Sequence, residues 1–254
     1  MKKITVIALL LFLTATGFAQ RTKPDYGLPA GALVIETQSL AANGHADRAL
    51  VLWMVSPERN PIGYDADDPY TCPDETRGSH YSGPTRVSLV DTKTNKVINT
   101  VEVADNEGQD TLDIPYAIRK GRYYDVLGEP DRIGEMKAHV LALKDYNGDG
   151  KALEFALFDA LACMGLSTTL IGFSESQDKV IQYPAMIEVI QGNERETEVM
   201  RWVDYLFSKK PVGPGYWKYE IDYRGRGGSL DKYEVRYNAR AERFEGKLII
   251  QVDQ

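Results

Sequence analysis

The end of the chain alternates strictly between apolar and charged residues. Trp217, Tyr219, Ile221 and Tyr223 fall on one side of an extended backbone, and Lys218, Glu220, Asp222 and Arg224 fall on the other. Tyr233, Val235 and Tyr237 repeat the pattern after an R-G-R-G-G-S loop, and Leu248, Ile250 and Val252 repeat it again. A period of two suits half-buried strands and cannot make one face of a helix, so it predicts a C-terminal antiparallel meander. The aromatic members read as core, because the opposite side is charged and Ile221 lies among them; exposed, they would form a platform for a sugar or a protein partner.

The same logic extends upstream. Ala32 to Thr37 alternates, and Ala49 to Val55 is a continuous apolar run of strand length, expected to be buried on both faces. Arg86 to Val90 pairs with Val97 to Val103 across a polar turn, Thr111 to Ile118 is a short strand, and Ser167 to Phe173 pairs with Lys179 to Tyr183, continuing through Ala185 to Ile190. One amphipathic helix is predicted over 194–208, with Val199, Trp202, Val203, Leu206 and Phe207 at helical spacing behind an Asn193 cap. Pro57 to Pro84 lacks periodicity and reads as a long loop, whose Asp65, Asp67 and Asp68 read as a solvated surface. The predicted class is therefore mainly β, with antiparallel, sandwich-like sheets and one helix; α+β is the alternative, and alternation alone does not separate a sandwich from a barrel.

Residues 1–19 carry Lys2 and Lys3, an apolar run from Ile4 to Leu13 and small residues around Gly17 and Ala19, the pattern of a secretory signal peptide without a lipid-anchor cysteine. A linker over 20–31 and a single domain over 32–254 follow, with a sub-boundary placed near 121–137. The expected location is secreted or periplasmic, with no membrane span in the mature chain. A net charge of -7 argues against a nucleic-acid partner and is compatible with divalent cations. Cys72 and Cys163, in an oxidising compartment, are expected to pair as a disulfide.

The stretch from Ala138 to Asp159 carries the most specific chemistry. Apolar runs, Val140 to Leu143 and Leu153 to Leu157, flank a turn that presents Asp145, Asn147 and Asp149 at alternate positions with Gly150 just after them. Oxygen ligands spaced by two and closed by a glycine suit a hard cation, since the chain must wrap tightly. Asn147-Gly148 and Asp149-Gly150 are also strong turn dipeptides that need no metal. An EF-hand is excluded, because its twelfth position falls on Ala156.

Asp145, Asn147, Asp149 and Gly150 between β-runs resemble the calcium loops of FG-GAP and VCBS type repeats. The resemblance covers about thirty residues and implies calcium held by the side chains of Asp145, Asn147 and Asp149 and by the carbonyl of Lys151. The family's closing acid falls where this chain has Leu153; Glu154, one place later, reaches the ion only through a bulge. The loop occurs once, so the propeller fold of such repeats is not implied.

No G-x-S-x-G or H-E-x-x-H pattern is present, and His45, His80 and His139 lack ligand spacing. The sequence therefore favours an exported, calcium-stabilised binding or structural domain over an enzyme, with a protein or glycan as possible partner. A secreted, glycan-directed hydrolase using two carboxylates is the alternative, since such pairs assemble from distant strands and leave no local signature.

Overall fold

The computed structural model describes residues 26–60, 80–103, 111–113, 140–161 and 165–252. The signal peptide, Cys72, Cys163, His139, the Asp65–Asp68 segment and the sub-boundary near 121–137 lie outside these residues. The strands are β1 (Ala32–Ser39), β2 (Arg48–Val55), β3 (Glu58–Asn60), β4 (His80–Asp91), β5 (Lys96–Val103), β6 (Thr111–Asp113), β7 (Glu154–Leu161), β8 (Gly165–Ser174), β9 (Lys179–Gln182), β10 (Ala185–Gln191), β11 (Glu194–Met200), β12 (Val203–Asp204), β13 (Tyr216–Asp222), β14 (Leu230–Asn238) and β15 (Arg243–Gln251). The protein is mainly β, and no helix among the described residues reaches seven residues.

Three sheets are built from these strands. The first is spined by the long β4, whose second half pairs β2 and β5 and whose first half pairs β3 and β6, with β1 outside β2. In the second, β8 pairs β7 along one edge and both β9 and β12 along the other. The third runs β11-β10-β15-β14-β13 and contains the predicted meander, with β10 parallel to β15.

The second sheet is the middle layer. Phe155, Leu157, Ile171 and Phe173 pack with Leu50, Leu52, Met54, Val87 and Leu89 of the first sheet. Ala156 and Leu170, on the alternate positions, pack with Trp217, Tyr233, Val235, Phe244 and Leu248 of the third. A strand sandwiched between two cores has no wet face, which is why β8 is buried from Leu166 to Ser174. The apolar run of β2 is likewise buried on both faces, as its composition predicts: Leu50, Leu52 and Met54 face the middle sheet, and Ala49, Val51 and Trp53 cluster with Tyr26 and Val90.

Side chains tie the first two sheets together at their margins. On β5, the Asn99 side-chain amide donates to the Val180 carbonyl at 2.8 Å and accepts from the Val180 N–H at 2.9 Å, completing the β9 backbone as a neighbouring strand would. Val180 is fully buried. Asn99→Ala leaves both of its backbone groups unpaired, an expected loss of about 2 kcal/mol in urea unfolding; a change below about 0.5 kcal/mol would show that the amide is dispensable.

Three four-residue turns share one chemistry. Asp91, Ser174 and Asn238 each stand before such a turn and accept hydrogen bonds from backbone N–H groups within it, and the turns end on left-handed Asn95, Asp178 and Glu242. Asn and Asp tolerate that conformation; Glu at φ 46° needs a reason. The Glu242 carboxylate supplies it by accepting from Ser174 Oγ at 2.7 Å, Ser176 Oγ at 2.9 Å and Gln177 Nε2 at 2.7 Å, which locks the β14–β15 turn to the β8–β9 turn. Glu242→Ala, which keeps the strain and loses the bonds, should lower stability by about 1–2 kcal/mol, whereas Glu242→Gly should recover part of that loss. Equal melts for the two variants would remove the strain argument.

Three expectations from the sequence need correction. The predicted helix at 194–208 is strand β11, strand β12 and a 3-10 turn at Leu206–Ser208. Gly192, at φ 60°, and Asn193 form the two-residue turn of a β10–β11 hairpin in which Gln191 opposes Glu194, so Asn193 closes a hairpin instead of capping a helix. Val203, Leu206 and Phe207 are buried as the helical pattern requires, but Val199 is 73 % exposed. The first apolar arm of the acidic turn is also not a strand: the Glu36 carboxylate accepts from the N–H groups of Val140 and Leu141, at 2.7 and 3.3 Å, and only Lys144 forms a bridge, to Glu154. Finally, the ends of the long loop at 57–84 are strand, where β3 pairs with the start of β4.

Candidate metal centre

Glu154 opens β7 and is fully buried. Its backbone bridges Lys144, which returns its side chain over the turn, where Oε2 accepts from the Tyr146 N–H at 3.0 Å and Oε1 from Asn147 Nδ2 at 3.0 Å. The same Asn147 amide donates to Asp149 Oδ2 at 3.1 Å, so it stands between the two carboxylates. Leu153, at the position of the resembled family's closing acid, instead faces the first core.

The other oxygens brace the turn. Asp145 accepts from the N–H groups of Gly148, Asp149 and Gly150 at 2.7, 3.1 and 2.9 Å, Asn147 Oδ1 accepts from Asp149 at 2.9 Å, and Asp149 Oδ1 accepts from Lys151 at 2.8 Å. Gly148 and Gly150 take φ of 80° and 91°, as such a wrap demands. The structure thus brings Asn147, Asp149 and Glu154 together and engages Asp145 with the backbone. The Lys151 ammonium leaves the turn to pair with Glu175, whose other oxygen meets His45 Nε2 at 2.8 Å. Among the described residues no group of three or more His, Cys, Asp or Glu side chains is placed to hold a metal ion.

The electrostatics are unbalanced. None of Asp145, Asp149 and Glu154 is ion-paired among the described residues. Burial, reinforced by the charges of Asp149 and Asp145 and opposed by the bonds from Tyr146 and Asn147, pushes the Glu154 carboxyl up to about 8. The carboxylate and amide oxygens are hard ligands and the local charge is negative, which fits a calcium ion and not a soft metal, with the Asn147 amide turning its oxygen inward in place of the Nδ2 that now bridges Asp149 and Glu154.

Several residues that the sequence did not flag hold the turn in place. A Cβ on Gly148 would meet the Gly215 nitrogen at 2.4 Å, so the turn packs directly on the Pro214–Gly215 backbone ahead of β13. The Tyr146 ring meets Phe207 edge-on at 5.6 Å, and Asn43 Nδ2 donates to the Ala152 carbonyl at 2.9 Å. The turn therefore touches parts belonging to all three sheets. Proline next to glycine hinted at a tight approach near 214; nothing marked Asn43.

His45 is committed to Glu175 and rests edge-on against Phe173 at 4.7 Å. Trp217 and Tyr233 of the aromatic row are buried, with Tyr219 and Tyr237 packed against the same core, while Tyr223 stands at the turn after β13. Among the described residues no helix is long and apolar enough to cross a membrane. No family model matches the chain, and no curated protein or solved structure does.

Proposed function

We propose that this chain is an exported β protein stabilised by one structural calcium ion, with a binding or structural role in the cell envelope or the extracellular space. The observation that carries the reading is Glu154. A fully buried carboxylate beside Asp149, without a cationic partner among the described residues, costs several kcal/mol unless it is protonated or neutralised by an ion. Asp145, Asn147, Asp149 and Glu154, with the Lys151 carbonyl, would hold the ion. The resemblance to FG-GAP and VCBS type loops supports Asp145, Asn147, Asp149 and the Lys151 carbonyl, and Glu154 takes the closing role because its carboxylate turns back over the loop, where Leu153 does not.

The ion's task would be structural. The turn meets all three sheets, so neutralising it fixes the position of β7 against the Pro214–Gly215 approach and the register of the sheet it opens. Calorimetric titration of calcium into residues 20–254 tests the reading: one saturable site, absent in Asp149→Ala, is expected. No heat and no shift in melting would overturn it.

A further inference from the structure

Asparagine followed by glycine occurs twice in the chain, at Asn43-Gly44 and Asn147-Gly148. The two pairs lie close to one another, because Asn43 Nδ2 donates to the Ala152 carbonyl at the end of the turn that contains Asn147. Asparagine is a thermolabile residue, since the backbone nitrogen that follows it can attack its side-chain carbon. Glycine puts no Cβ in the way of that attack and lets its peptide group turn. The attack then depends on how firmly the surroundings hold the amide and the glycine.

The two pairs are held very differently. Asn147 is 8 % exposed, its Oδ1 accepts from the Asp149 N–H, and its Nδ2 donates to both Asp149 and Glu154. The Gly148 N–H is held by Asp145 at 2.7 Å, and a Cβ on Gly148 would strike the Pro214–Gly215 backbone, so neither reacting group can turn unless the loop lifts away. Asn43 ends the 3-10 turn Ala41–Asn43, which buries none of its residues. Its side chain has one hydrogen bond, the 2.9 Å bond to Ala152, and its Oδ1 has no partner among the described residues. Gly44 is exposed at φ 91°, a Cβ there would meet nothing within 4 Å, and its N–H is held only by the Ala41 carbonyl at 3.1 Å.

We propose that Asn43 is a site of spontaneous deamidation in the folded protein, with water as the only other reactant, whereas the acidic turn holds Asn147 unreacted. The Gly44 nitrogen bonds to Asn43 Cγ and gives up its proton to solvent, the bond from Cγ to Nδ2 breaks, and the amide nitrogen leaves as ammonia. Water then adds to either carbonyl carbon of the cyclic imide and opens it, leaving aspartate or isoaspartate. No electrons are transferred; one water is consumed for each ammonia released. The product replaces the donor facing the Ala152 carbonyl by a carboxylate oxygen, so two acceptors meet and the tie between the β1–β2 connection and the acidic turn is cut. No step requires calcium.

Peptide mapping tests the proposal. Residues 20–254 are aged in mildly alkaline buffer with chelator, once folded below the melting midpoint and once in urea, and digested with trypsin, which leaves the two asparagines in separate peptides. In the folded protein the Asn43 peptide should gain one mass unit at least about tenfold faster than the Asn147 peptide, and in urea the two rates should agree within about twofold. Asn43→Gln should leave its peptide unchanged in mass, and Asn43→Asp, the product itself, should melt about 3 °C below the native chain in chelator. Equal rates for the two asparagines in the folded protein, or a folded Asn43 as slow as Asn147, would overturn the site, and an Asn43→Asp melt equal to the native one would overturn the cut tie. Calcium is absent throughout, so failure of the acidic turn to bind it shows only in the calcium titration and leaves both rates as they are.

Discussion

One millimolar calcium is expected to raise the melting midpoint of residues 20–254 by about 5–10 °C relative to chelator, from about 2.7 kcal/mol of linkage at a dissociation constant near 10 μM. Asp149→Ala should remove most of that shift while changing the melt in chelator little. The asymmetry follows from the geometry. In chelator the Asp149 carboxylate accepts from the Lys151 N–H and from Asn147, but it also adds a like charge beside Glu154, so its gains and costs oppose one another. With calcium bound, the same charge becomes a ligand. Asp145→Ala is a poorer probe, because Asp145 accepts three backbone N–H groups and its loss should loosen the turn with or without metal. Equal destabilisation by Asp149→Ala in both buffers would mean that the turn is an ordinary connection.

Where hydrophobic period and turn chemistry agree, the sequence is sufficient to specify the structure. Trp217, Tyr233, Val235 and Leu248 alternate, and each lies in the core shared by the middle and third sheets. The stretch after Asn193 shows what happens when they conflict. Val203, Leu206 and Phe207 are spaced as on a helix, yet Gly192-Asn193 is also a hairpin dipeptide, and seven backbone-paired residues on β10 outweigh a single helical stripe. The acidic turn was legible as a pattern because its ligand types recur at fixed spacing. Its support was not, because Asn43, Glu175 and Gly215 reach it across long chain separations, which no local spacing records.

Without metal, stability should fall as pH rises, and Glu154 sets the window. Its carboxyl is pushed from an ordinary 4.5 up to about 8 in the folded chain, so between those values the native state holds a proton that the unfolded chain has released. The associated stability is fully present below about 4.5 and is lost as pH climbs through about 8, at up to about 1.4 kcal/mol per unit. In chelator, unfolding free energy should therefore drop by on the order of 3 kcal/mol between pH 5 and 8. Saturating calcium should flatten or invert that slope, since the ion takes the proton's place and binds better as the proton leaves. Glu154→Gln separates this from every other titrating group. It preserves the shape and an oxygen that can accept from Tyr146, carries no charge, and should give a flat profile in chelator with greater stability than the native chain at pH 8. It should also give no calcium response. Parallel pH profiles for the native chain and Glu154→Gln in chelator would show that the buried carboxyl is not the proton's holder, and with it would go the main reason for placing a cation there.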